Sequence, residues 1–127
     1  LEKILIRMNE KSLLEIELKS LLKQILEWSN EFLNGKKDYS FDVDDKFFLL
    51  SRKHDLNFKT GNLSLIYSLA DYYTDAIKHN FQEVYDDYFL DEAQSDIREI
   101  LNTFQTEVDE IQLSNKLKEK LSKIFGK

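Results

Sequence analysis

Asp71, Asp75, His79, Glu83, Asp87 and Asp91 recur at every fourth position, the interval at which helix neighbours can share a proton or a metal ion. One imidazole flanked by carboxylates suits a divalent cation, and Asp75, His79 and Glu83 are the best set for it. A row spaced at four drifts around the helix, however, so only adjacent members converge. Carboxylates are dense enough here to give this spacing without a site, and His79 reads as an ordinary residue on a solvated ridge. The chain has no cysteine, which removes thiolate nucleophiles, disulfides and cysteine-ligated metals. Three scattered glycines, Gly35, Gly61 and Gly126, exclude both glycine-rich phosphate-binding fingerprints. Asp42-Val43-Asp44-Asp45 lacks the glycine and distal glutamate of a calcium loop, and no nucleophile elbow is present. The expectation is a protein without catalytic residues, metal or cofactor.

Glu27 and Glu31 on one expected helix, with Asp71 and Asp75 on another, partly resemble the helical nucleotide pyrophosphohydrolases, in which carboxylate pairs on adjacent helices bind magnesium. The resemblance implies magnesium-dependent hydrolysis of nucleoside triphosphates, lost in Glu27→Gln or Asp75→Asn. That family spaces at least one pair at three, whereas both pairs here are spaced at four, and basic residues for a triphosphate are sparse. This reading ranks third.

Charge is the uneven feature of the chain. The formal net charge is −6 over 127 residues, but it is concentrated. Residues 80–113 carry ten acids (Glu83, Asp86, Asp87, Asp91, Glu92, Asp96, Glu99, Glu107, Asp109 and Glu110) against one base, Arg98. The following fourteen residues carry Lys116, Lys118, Lys120, Lys123 and Lys127 against Glu119 alone. Crowded carboxylates repel one another, so they ask for a compensating role, such as steering a basic partner. Two plainer explanations compete: acids favour helix N-termini, and the lysine-rich tail can fold back over the cluster. Tyr67, Tyr72, Tyr73, Phe81, Tyr85, Tyr88 and Phe89 are interleaved with the acids. Rings beside carboxylates are common where basic proteins are bound, since a ring offers area at low entropic cost. Direct nucleic-acid binding is disfavoured, because the dominant patch has the wrong sign.

The elements that must position these groups are helices. The chain has no proline, and hydrophobic residues recur at helical spacing. Leu14, Leu18, Leu21, Ile25, Trp28 and Phe32, widened by Leu22, Leu26 and Leu33, predict a helix over 13–34, begun by a Ser12/Glu15 capping box and stopped at Asn34-Gly35. Residues 2–10 form either a separate helix or its first turns. Asp42 caps a short helix carrying Phe47, Phe48, Leu49 and Leu50. Asn62 opens a long segment through Ile66, Leu69, Tyr73 and Ile77, whose stripe continues through Phe81, Val84 and Tyr88 unless His79-Asn80 breaks it. A helix from about Asp91 uses Ala93, Ile97, Ile100, Phe104, Val108 and Ile111. Ser114 caps a last one with Leu117, Leu121, Ile124 and Phe125. No strand-like alternation competes. The expected fold is all-α, a compact antiparallel bundle of four to five helices forming one domain over 1–127.

No run of eighteen apolar residues suggests a membrane span, and the start lacks the basic-then-apolar order of a signal peptide, so a cytoplasmic location is expected. The favoured function is a non-enzymatic acidic binding protein that recognises and inhibits a basic protein, such as a nuclease, in the manner of immunity proteins, antitoxins or anti-defence inhibitors. Its partner-binding residues would be Glu83, Tyr85, Asp86, Asp87, Phe89, Asp91 and Glu92. The alternative is a self-associating structural module, a homodimer built on exposed Leu and Phe rows.

Overall fold

A computed structural model describes residues 2–103 and 113–126, with side chains over 13–102 and 113–126. Phe104, Val108 and Ile111, and the acids Glu107, Asp109 and Glu110, lie outside the described residues. The protein is an all-α bundle: helices α1 (Glu2–Leu33), α2 (Val43–His54), α3 (Gly61–Lys78), α4 (Leu90–Thr103) and α5 (Asn115–Phe125), plus a small hairpin of strands β1 (Glu83–Tyr85) and β2 (Tyr88–Phe89). Among the described residues no helix is long and apolar enough to cross a membrane.

The first helix runs unbroken over 32 residues, so Ser12 falls inside it and does not cap it. Its end is as expected. Gly35 takes φ +107°, and the Lys36 and Gly35 amides donate back to the Glu31 and Phe32 carbonyls. These two bonds satisfy carbonyls that the helix end would otherwise orphan. Asp42 caps α2 by accepting from the Asp45 amide at 3.2 Å, and Ser114 caps α5 by accepting from the Leu117 amide at 3.2 Å. The cap of the third helix falls at Thr60, two residues before the expected Asn62, and makes no side-chain capping bond.

α3 is the central element. Leu65, Ile66, Leu69, Ala70, Tyr73, Thr74, Ala76 and Ile77 are all buried, which is more than one face of a helix, and α3 packs on each of the other four helices. From α1 the core takes Leu18, Leu21, Leu22, Ile25, Trp28 and Phe32, whereas Leu33 is exposed and Leu26 only partly buried. A line of hydroxyls ties three helices together inside it. The Gln94 amide donates to the Tyr73 hydroxyl at 3.2 Å, Tyr73 donates to Ser29 Oγ at 3.0 Å, and Ser29 donates to the Leu26 carbonyl at 2.8 Å. Among the described residues every buried side-chain nitrogen and oxygen has a hydrogen-bond partner. Trp28 closes the corner after α1 by stacking on Phe41 at 5.0 Å and donating from Nε1 to the Asp38 carbonyl at 2.8 Å.

The main departure from expectation lies at residues 79–89. The helical stripe does not continue past Ile77. Asn80 adopts φ +60°, and the Phe81 and Asn80 amides turn back to the Ala76 and Ile77 carbonyls, which ends α3. The next residues form an antiparallel hairpin pairing Glu83 with Phe89 and Tyr85 with Tyr88. Val84 and Tyr88 do reach the core, but they do so from strands. Asn80 wins because it accepts a left-handed conformation at little cost, and the β-branched and aromatic run after it prefers extended backbone.

Candidate functional site

The hairpin and the first turn of α4 carry all seven residues expected to meet a partner. Asp86 and Asp87 form the two-residue turn between the strands, with Asp87 at φ +58°, so both carboxylates sit at an exposed tip. Strand alternation points Val84 and Tyr88 inward and leaves Glu83, Tyr85 and Phe89 facing outward. Asp91 and Glu92 follow at once in the first turn of α4, where the helix N-terminus favours negative charge. The Asp91 carboxylate accepts from the Glu92 amide at 2.9 Å.

What holds the hairpin in place is a polar link that sequence reasoning left unassigned. The Tyr88 hydroxyl donates to Asp96 Oδ2 at 2.5 Å in the interior. Lys120 reaches across from α5 to the same Asp96 oxygen at 2.9 Å and to Glu92 at 2.5 Å, and its ammonium lies 5.3 Å from the centre of the Tyr88 ring. Burial, then the bond to Asp96, pushes the Tyr88 phenol above its ordinary range, so it stays a neutral donor. Burial opposes the charge on Lys120, but hydrogen bonds to Glu92 and Asp96 outweigh it and raise the lysine.

Of the two plainer explanations for the acids, fold-back of the lysine tail is therefore realised in part. The tail does fold back, through Lys120, and takes up Glu92 and Asp96. Glu83, Asp86, Asp87 and Asp91 keep no ion pair among the described residues. Among the described residues the free acidic surface is thus narrower than the charge count implied, with four of its carboxylates on the hairpin and the first turn of α4.

The two outward rings have different surroundings. Tyr85 packs edge-on against Tyr72 at 5.2 Å and lies 6.1 Å from Phe125, giving a partly exposed aromatic ridge shared by β1, α3 and α5. Phe89 instead lines a cleft of about 610 Å³ with Leu33, Tyr73, Gln82, Leu90, Asp91 and Gln94. Leu33, Gln82 and Gln94 were missed by sequence reasoning. Leu33 belongs to a different helix, and its exposure could not be told from its place in an apolar stripe. The strand signal was available: a polar pair, Asp86-Asp87, between Val84-Tyr85 and Tyr88-Phe89.

The other constellations do not assemble. His79 donates from Nδ1 to the Asp75 carbonyl at 2.9 Å and stacks on Phe81 at 5.6 Å, as an exposed helix-end residue. Among the described residues no group of three or more His, Asp or Glu side chains is placed to hold a metal ion. Glu27 and Glu31 therefore do not join Asp71 and Asp75 in a carboxylate box. Comparison with known proteins finds no matching family, no similar curated protein and no similar solved structure.

Proposed function

We propose that this chain is a non-enzymatic binding protein whose hairpin recognises a basic protein and covers the surface that the partner uses. One observation carries the reading: the turn Asp86-Asp87 projects two carboxylates that form no ion pair among the described residues, with Asp91 behind them and exposed Tyr85 and Phe89 on either side. Charges at the tip steer encounter, and the flanking rings and the Phe89 cleft supply apolar area on docking. A nuclease or another nucleic-acid-binding protein offers the matching lysines and arginines, and an acidic tip imitates the sign of the phosphates they serve. The proposal extends to inhibition in the manner of an immunity protein or antitoxin, acting in the cytoplasm. The test is capture of partners from the source cell at low and high salt, followed by association kinetics with the captured protein. Replacing Asp86, Asp87 and Asp91 with lysine slows association by about tenfold or more at low salt and flattens its salt dependence, with the far-ultraviolet spectrum unchanged. Unchanged kinetics in the triple variant would refute the proposal.

A second reading is self-association, favoured by one other observation. Ile16 and Leu49 are 63% and 58% exposed and line an apolar cleft between α1 and α2. A salt-insensitive dimer in light scattering, abolished by Ile16→Glu, would support it over the first.

A further inference from the structure

A second cleft lies away from the hairpin, between the N-terminal turn of α2, the α2–α3 loop and the start of α3, with a volume of about 660 Å³. Volumes of this order are typical of small-molecule sites, and far exceed a single amino-acid side chain. Its walls are aromatic. Exposed Phe48 and the partly buried Phe58 and Tyr67 line the cleft, and the buried Phe47 ring packs edge-on against Phe58 at 5.3 Å and Tyr67 at 5.2 Å. Its rim is acidic: Asp42, Asp44 and Asp45 stand together at the start of α2, with Lys59 also in the lining. Asp44 accepts from the Tyr67 hydroxyl and Asp42 from a backbone amide, but none of the three forms an ion pair among the described residues. The α2 N-terminus contributes about half a positive charge, which together with Lys59 leaves the rim net negative.

A metal ion needs its ligands to converge on a point, and these carboxylates do not converge. They are spread along one edge of an aromatic-walled space. That arrangement complements a cation whose charge sits at the end of an apolar body, with the body against the rings and the charge at the rim. We propose that this cleft binds a small organic cation, an amine or guanidine carried on an aromatic body, independently of the hairpin.

The experiment titrates the full chain with phenethylguanidine, with its neutral isostere phenethylurea, with a capped Ala-Arg-Ala peptide and with magnesium, following backbone amide shifts. The proposal expects saturable shifts confined to residues 42–67 with phenethylguanidine, at least tenfold weaker binding of the urea, and at least fivefold weaker binding in Asp45→Asn. Asp45 is exposed and its side chain makes no bond among the described residues, so that variant is expected to fold; Asp44→Asn is the second variant. The Asp86/Asp87/Asp91 lysine variant binds the guanidine as the parent does, which separates this site from the hairpin. Equal binding of the urea, or shifts centred on the hairpin, overturns the proposal. So does displacement by magnesium, or tighter binding of the peptide, which would make the cleft a metal or peptide site.

Discussion

At the scale of single residues, Asp71 shows how this fold tolerates its acids. Burial, then the charges of Asp44, Asp75 and Asp42, raises its carboxyl to about 6, and only Lys78 on the same helix pulls the other way. The folded chain therefore holds this proton up to about pH 6, whereas the unfolded chain releases it near pH 4. The stability owed to Asp71 is greatest below about pH 4, declines as pH rises, and is gone above about pH 6. Asp71→Asn is expected to stabilise the protein by about 1–2 kcal/mol at pH 7.5, after allowance for solvent screening, and by nothing near pH 3.5. Urea midpoints followed by the fluorescence of Trp28, the sole tryptophan, test both halves of this statement. Asp71 also marks where reading a sequence stops short. Its type and its helix were legible, but its crowding by Asp42 and Asp44 is a fact of α2 lying beside α3.

At the scale of elements, the hairpin is the informative piece. Asn80 is the hinge between two outcomes for the same residues, a longer α3 or a turn into β1. Asn80→Ala removes the short polar side chain that makes the left-handed conformation tolerable and is expected to cost about 1 kcal/mol, while Asn80→Gly, with no Cβ to clash, leaves stability unchanged or slightly higher. A loss from both variants would contradict this account of the turn. The hairpin is then fixed to α4 and α5 through Tyr88, Asp96 and Lys120. Lys120→Met strands the interior Asp96 charge with only the Tyr88 hydroxyl, at an expected cost of about 3 kcal/mol, and adding Asp96→Asn recovers part of that loss. A double-mutant cycle in urea measures the coupling, and additive losses would show that the link contributes nothing. The residue types of this network were visible from the start, and the lysine tail was foreseen as a neutraliser. Which lysine pairs with which acid was not, because the choice depends on α5 packing beside α4.

At the scale of the whole molecule, α5 does two jobs at once. It seals the bundle, with Leu117 at 2% and Leu121 at 0% exposure, and it brings positive charge to the acidic end. Fully burying each leucine contributes about 1.5–3 kcal/mol, against a total stability of about 5–15 kcal/mol for a domain of ordinary stability. A chain cut after Leu113 is therefore expected to lose its cooperative thermal transition and its near-ultraviolet signal while keeping helical far-ultraviolet content. A sharp transition retained by the shortened chain would mean that the core stands without its last helix.

The sequence by itself determined that the chain is helical, where most helices stop, and most of the apolar residues that turn inward. Those properties follow from spacing, caps and backbone preferences, all of which act within a turn or two of chain. It also located the acids in one stretch. Only the tertiary structure decided that the stretch bends into a hairpin, that Lys120 removes Glu92 and Asp96 from the free surface, and that Asp86 and Asp87 stand at its tip. Contacts between residues distant in the chain make those choices, and charge or periodicity read along a line carries no record of which helix lies beside which.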